Sequence, residues 1–547
     1  MLATAHLQHE SRPRFAFRDG PLHNRGPFVL DASSAKDSPV NPPNLPTQPA
    51  ATGTSFGQWM ALIAALLGWM FDGAEMGVFS MVGNSAVRDL LGPEHADKAG
   101  SWFGVIIATF LVGAATGGVV FGWLGDRIGR VRAMSLSVLV YALFTGFCGF
   151  ANSVEQLAAL RFIASLGMGG EWSLGVALVM EVWPNKSRAL MAGLIGAAAN
   201  AGYLLVGVVG LVLDALLKDQ IPGWLSSLGL SPRSVDILVH EKGWRLMMML
   251  GTTPALLTFL FRMFVPESEK WLEERGKGQT SNWATVDLLG VLIGGAGPAL
   301  IIYVWASNFA WPIRVVGTLV GLVVATLGYT YPVVRFLQRC DSDNATDGVA
   351  SKRIIRLMLL AAGLSGVALL GTWGSSQWAA RWAGELTQNQ FQSREWTQIW
   401  LALGAITGTI LAAFMGDWLG RRMAYFILCV LALGSALFFF QFNHAYGPMF
   451  LASSFVTGMC TASFYGWLPL YLPELFSTKV RATGQGFSFN FGRILAAIGV
   501  LQTGALTDTF KDRGGIPAAC SVMSLVYIVG MAIIWLAPET KGKPLPE

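Results

Sequence analysis

Five ionisable side chains stand inside stretches that are otherwise apolar. Arg493 lies about a dozen residues into the segment Ala482 to Leu506, and at about 1.5 Å rise per residue this puts its guanidinium roughly 18 Å into a helix long enough to span a bilayer. An arginine at that depth costs about 2.5 to 3.5 kcal/mol on an insertion scale, so it faces a partner or a pathway and not lipid. Asp72 and Glu75 fall in the first apolar segment, Arg161 and Glu171 in the fourth. Carboxylates at i and i+3 share a helix face, and burial with mutual repulsion favours keeping a proton on one of them, so the pair is expected to titrate as a unit. Arg161 and Glu171 are separated by roughly 15 Å along one helix and cannot touch. The expected partner of Arg161 is therefore a carboxylate of the first segment, in a pair that opens on protonation. Asp72, Glu75, Arg161 and Glu171 are thus the expected proton-coupling set, with Glu171 positioning its helix. Arg493 is the expected anchor for a substrate carboxylate. A satisfied intramembrane ion pair is the competing reading for each residue taken singly.

Uncharged polar and aromatic side chains extend the candidate cavity. Asn490 lies one turn before Arg493, Asn200 and Tyr203 are in the fifth span, Trp373 and Gln377 near the end of the ninth, and Trp467 in the twelfth. An amide in hydrocarbon needs a partner, which a substrate or a neighbouring helix can supply equally. Tryptophans at span ends also serve as interfacial anchors.

The elements that must position these groups follow from composition. The 547 residues are 53% hydrophobic and only 13% charged, with a mean hydropathy of +0.51, against about 25% charged in ordinary soluble domains. Apolar segments predict helices at about 57–81, 102–124, 133–151, 156–182, 189–213, 245–265, 286–306, 312–333, 354–378, 397–415, 423–441, 447–471, 482–506 and 516–537, each long enough to cross a membrane. That is an all-α membrane protein of about fourteen helices, grouped six, two and six. The expected divisions are a disordered cytoplasmic tail at 1–56, a six-helix bundle at 57–266, a linker with two additional helices at 267–353, a second bundle at 354–538 and a short tail at 539–547. Basic residues Arg127, Arg130, Arg132, Lys186, Arg188, Arg421, Arg422, Lys479 and Arg481 cluster in loops on one side, which the positive-inside rule makes cytoplasmic along with both termini. The net charge of +5 reports this orientation and suggests no nucleic-acid partner. Five cysteines without a CxxC pair imply neither a disulfide framework nor a metal site. The absence of HExxH and Walker patterns argues against a metalloprotease-type enzyme or an ATP-driven pump.

The halves also echo each other. Gly122-Trp-Leu-Gly-Asp126-Arg127-Ile-Gly129-Arg130 resembles the G-x3-D-R-x-G-R signature between helices two and three of the major facilitator superfamily. Gly416-Asp417-Trp-Leu-Gly420-Arg421-Arg422 repeats it in the second half, with Ala413 for the first glycine and Trp418 for the arginine. Further echoes are Glu181-Val-Trp-Pro-Asn-Lys186-Ser-Arg188 against Pro473-Glu474-Leu-Phe-Ser-Thr-Lys479-Val-Arg481, and Pro266-Glu267-Ser268 against Pro538-Glu539-Thr540. Arg161-Phe-Ile-Ala-Ser-Leu-Gly167-Met-Gly169-Gly170-Glu171-Trp172 is similar to the R-F-x4-G-M-G-G-E-W segment of sialate:H+ symporters and related lactate and pyruvate permeases. Asp72-Gly73-Ala74-Glu75 resembles the D-G-x-D of metabolite:H+ symporters, with glutamate as the second acid.

The resemblance implies a major facilitator fold of two six-helix bundles with two extra central helices. It implies a conformational gate built from Gly122, Asp126, Arg127, Gly129, Arg130, Asp417, Gly420 and Arg421. The expected function is proton-coupled symport of a small organic anion, a monocarboxylate or an acidic sugar, by a monomer without cofactor or metal in a bacterial inner membrane. A neutral sugar or polyol symporter is the alternative within transporters, and a non-transporting receptor of the same fold is a further one. Proton, small molecule and lipid bilayer are the expected partners.

Overall fold

The computed structural model describes residues 56–183, 187–252, 265, 267–278, 283–307, 309–341, 348–388 and 390–546. The expected tail at 1–56 lies outside them except for Phe56, as do Lys186, Pro266 and much of the sixth span. The principal helices are α1 (Phe56–Leu91), α2 (Ala99–Ile128), α3 (Arg130–Cys148), α4 (Val154–Val182), α5 (Arg188–Ser227), α6 (Pro232–Leu250), α7 (Glu269–Gly276), α8 (Leu288–Ala306), α9 (Trp311–Asp341), α10 (Gly348–Gly374), α11 (Ala379–Leu386), α12 (Ser393–Leu419), α13 (Arg421–Phe442), α14 (Pro448–Thr461), α15 (Phe464–Tyr471), α16 (Arg481–Thr509), α17 (Ile516–Ser524) and α18 (Val526–Ile533). In lipid each backbone group must bond within its own segment, which is why long apolar runs become helices.

Eleven described helical stretches are long and apolar enough to cross a membrane. The three expected spans outside that set have separate reasons. The sixth runs into residues that are not described. The twelfth is interrupted after Thr461, giving α14 and α15. The thirteenth is one helix of 29 residues, but Thr483, Gln485, Ser488, Asn490 and Arg493 dilute its apolar character.

Two long helix pairs join the halves. α16 packs along α2, and α12 packs along α5, so each half contributes one member to each seam. Close approach at the site level depends on glycine in the α1–α5 pair: a Cβ at Gly73 would collide with the carbonyl oxygen of Ala199, and one at Gly202 with that of Met70. The central pair, α8 and α9, packs against itself and lays α8 on α2. The Tyr329 hydroxyl of α9 and Thr116 Oγ1 of α2 lie 2.7 Å apart, and Arg127 donates to Thr285 at 2.5 Å. The outer face, with Leu292 70% and Leu327 67% exposed, is apolar surface suited to acyl chains.

Candidate functional site

Within the first bundle, Arg161 of α4 forms an ion pair with Glu75 of α1. Its guanidinium lies over the rings of Phe79, at 4.3 Å, and Phe110, at 4.5 Å, and both charged groups are buried. Desolvated cation–π contacts of about 2 kcal/mol each reinforce such a pair. Asp72, three residues earlier, bears instead on the charge of Arg493 in the opposite bundle, and Tyr465 bears on it from within the same half. Glu75 is thus paired within its bundle, while Asp72 bears electrostatically on an arginine of the opposite one. The reason is angular: i and i+3 are offset by about 60° on a helix, enough to send one carboxylate toward α4 and the other toward α16.

Arg493 is 9% exposed and its Nη1 has no hydrogen-bond partner. Its charge lies 5.5 Å from the centre of the Phe489 ring, which stacks on Trp172 of α4 at 3.7 Å with planes 8° apart. Asn490 takes a different part from the one its position suggested. Its Nδ2 donates to the carbonyls of Gly169, at 3.1 Å, and Gly486, at 3.0 Å, so the amide fastens α16 to α4. Glu171 is fully buried one residue before the Trp172 stack.

A cavity with ≈ 470 Å³ of space not filled by atoms lies between the halves. Asn200 and Tyr203 of α5 line one side, and Gln377, Gln398, Thr461 and Tyr465 are among the polar groups of the other. The Tyr203 hydroxyl donates to Gln377 Oε1 at 2.8 Å, and Gln398 Nε2 to the Tyr203 carbonyl at 3.1 Å. The lining carries amides, hydroxyls and apolar carbon but no ionised side chain. Trp373 packs against the hydrophobic core beside this cavity. Trp467 is elsewhere: fully buried, it donates to the carbonyl of Arg421 at 3.1 Å and makes tilted ring contacts with Tyr425 and Tyr471.

At the charged end the two halves hold matching networks. Arg130 pairs with Asp126 at 2.9 Å and with Glu181 at 3.3 Å, and Ser268 donates to the same Glu181 at 2.5 Å. Glu267 accepts from the backbone amides of Arg130 and Val131. In the second half Arg421 pairs with Glu474 at 2.6 Å, Thr540 donates to Glu474 at 2.6 Å, and Glu539 accepts from the amides of Arg421 and Arg422. Each acid also receives an arginine from the opposite half: Arg481 reaches Glu181 at 2.8 Å and Arg188 reaches Glu474 at 3.4 Å. Gly129 and Gly420, which make the turns, have φ of 113° and 92°, a region L side chains avoid. Gly122 lies against the Ala482 and Thr483 backbone of α16.

The repeats differ at one point. Asp126 is buried, and its Oδ2 accepts from Thr483 N at 2.9 Å and Thr483 Oγ1 at 2.6 Å, capping the first turn of α16. The Asp417 side chain is 62% exposed and pairs with Arg421 at 3.5 Å. Burial works to push up the pKa of Glu539, which lies outside the spans, but four backbone amides overcome it and hold the carboxyl below the usual glutamate value.

The model of the sugar (and other) transporter family matches residues 60–286 and 309–541. The chain belongs to that family. A putative metabolite transport protein of Haemophilus influenzae is 25% identical over 497 residues, covering 90% of this chain and 98% of its own. A niacin transporter of Acinetobacter baylyi is 27% identical, covering 88% and 93%. Among solved structures, the major facilitator proton:xylose symporter aligns with a TM-score of 0.63 at 19% identity, over 90% of this chain and 98% of that one. The protein is therefore a major facilitator transporter with that fold, and not an enzyme.

The transporter's cavity includes groups that sequence reasoning passed over. Thr372, Ser376, Gln398, Thr461 and Tyr465 all line it. A signal existed for Gln398, an amide inside an apolar span. It did not exist for the hydroxyls, because Thr372 and Thr461 also bond their own helix four residues back, as such residues commonly do in lipid. Glu181, Glu474, Glu267 and Glu539 stood out in the sequence as repeat echoes, but nothing in their spacing indicated that they share arginines.

Proposed function

We propose that this transporter carries a small organic anion together with a proton by alternating access. The observation that carries the reading is Arg493: a buried guanidinium with an uncommitted Nη1, linked electrostatically to Tyr465 of the cavity wall and to Asp72 of the other bundle. A carboxylate offers such a group two acceptor atoms in one plane, and a binding site near the midplane between bundles is the usual arrangement in transporters of this kind. The niacin transporter among its relatives supports a monocarboxylate. Residues 57–266 and 354–538 are the two moving bundles, and Asp126, Arg130, Arg421 and their partners are the lock that opens toward the cytoplasm, where both termini lie. The membrane is taken to be a bacterial inner membrane and the unit a monomer.

The uncharged amides and hydroxyls of the cavity favour a second reading, symport of a neutral sugar or polyol. Uptake in proteoliposomes decides between them. Labelled lactate, nicotinate, sialate, xylose and a polyol are offered with and without an inward proton gradient. Gradient-driven accumulation of an acid is the expected result; accumulation of the neutral compounds alone would overturn the anion reading.

A further inference from the structure

The residues between the two stretches matched by the family model, 287–308, hold α8, so half of the central pair has no counterpart in that model. Within the pair the fit is tight. A Cβ at Gly328 of α9 would run into the Cα of Gly294 of α8, and Asp287, at the start of α8, forms an ion pair with Arg339 near the end of α9. Trp283, buried ahead of α8, stacks on Phe336 of α9 at 4.1 Å with planes 13° apart. Close backbone contact along the middle, with an ion pair and a ring stack at one end, makes the two helices one body.

That body meets the two halves in different ways. Toward the first half, the buried Tyr329 hydroxyl lies 2.7 Å from Thr116 Oγ1 of α2. Thr116 gives its own proton to the Val112 carbonyl, at 2.9 Å, which makes Tyr329 the donor. Arg127, at the other end of the contact, donates to Thr285 at the entry to α8. In hydrocarbon no water replaces a broken bond between Tyr329 and Thr116. Toward the second half apolar side chains meet: Val304, Val333 and Phe336 share one core with Met358 of α10 and Phe487 of α16. α8 lies chiefly along α2 and only lightly on α16, so the pair covers the α2–α16 seam.

We propose that α8 and α9 are a rigid outer layer of the first bundle, which carries them through the transport cycle while α16 and α10 slide past their apolar face, keeping the α2–α16 seam shut to lipid. Apolar contact is non-directional and survives such sliding, whereas the hydrogen bonds to α2 do not. The inference rests on the alternating-access reading above and holds whichever compound is carried.

The test is distance measurement between paired spin labels on the full chain in lipid nanodiscs. The labels enter through a non-natural amino acid, which leaves the five native cysteines in place. The sites are Asn152 between α3 and α4, Ala310 between α8 and α9, and Ala445 between α13 and α14, all exposed and at the end opposite the charged networks. Wild type is compared with Glu474→Gln, which removes the charge that Arg188 meets across the halves, or with Arg188→Gln where that variant cannot be recovered. The 152–445 and 310–445 distances are expected to shift together while 152–310 stays unchanged. A 152–310 distance that shifts along with 152–445 overturns the proposal. If 152–445 itself does not shift, the alternating-access reading fails and the proposal with it. Thermal midpoints of Tyr329→Phe, Thr116→Val and the double variant test the fastening separately. Thr116→Val is expected to lower the midpoint more than Tyr329→Phe, because it leaves the buried Tyr329 hydroxyl without its acceptor whereas Thr116 keeps Val112. The double variant should lose no more than Thr116→Val alone, and additive losses overturn the fastening to α2. No substrate enters either measurement, so both stand apart from the uptake panel.

Discussion

At the scale of single residues, a buried charge reveals itself in sequence while its partner does not. Arg493, Asp72, Glu75 and Arg161 were conspicuous because an ionised group inside an apolar run is costly. Which acid meets which arginine depends on helix rotation, and α1 sends Glu75 to Arg161 and Asp72 toward Arg493. Asn490 and Trp467 show the same limit: an amide or an indole in an apolar helix announces a need for a hydrogen bond, and here their N–H donors meet backbone carbonyls while Asn490 Oδ1 has no hydrogen-bond partner. Arg493→Lys is expected to weaken affinity for an anionic substrate about tenfold or more, since an ammonium keeps the charge but not the two parallel donors. Arg493→Ala should be weaker still, and isothermal titration with the transported acid measures both. Asp72→Asn should lose accumulation driven by a proton gradient while substrate exchange at equal pH persists. Glu75→Gln should instead lower thermal stability, because it leaves Arg161 buried without its counter-charge, a defect typically costing about 3 to 5 kcal/mol. Counterflow assays and thermal melts on the two variants separate these outcomes.

At the scale of elements, the long apolar helices and the two glycine turns were readable, because span length and positive φ impose strict chemical demands. The positions of Gly129 and Gly420 follow from the repeat signature alone. The break between α14 and α15 was not readable: the run 447–471 holds no charged residue, and its interruption at Ala462 and Ser463 carries no proline or glycine at the break to mark it. Capping of α16 by Asp126 was also hidden, since cap and helix are far apart in sequence. Asp126→Asn is expected to slow turnover while leaving substrate affinity within about twofold of wild type, because a helix cap is worth about 1 kcal/mol and this one lies at the charged end, away from the cavity. Transport rate set against binding affinity checks it; a loss confined to affinity would place Asp126 in the binding site.

At the scale of the whole molecule, the all-helical membrane class and the repeat were legible because they are written in period and composition, whereas the closure of the charged end emerges only from tertiary contacts. Glu539 supplies a pH signature of this assembly. Its folded pKa lies below the usual value, so its contribution to stability is present above the ordinary glutamate range and is lost as pH falls through the depressed value. Glu539→Gln should therefore lower the melting midpoint near neutrality and flatten the acid limb of a midpoint-against-pH curve; an unchanged acid limb would refute this. The unequal repeats carry one more consequence. Glu474 meets the other half through a single Arg188 contact at 3.4 Å. Around Glu181 the opposite half supplies Arg481, Thr483 grips Asp126 through two donors, and Arg130 donates to the Thr478 carbonyl. A door fastened by one bolt on one jamb and four on the other does not swing free all at once. Its weakly fastened edge is expected to part first, with the unfastening of α16 the slower stage.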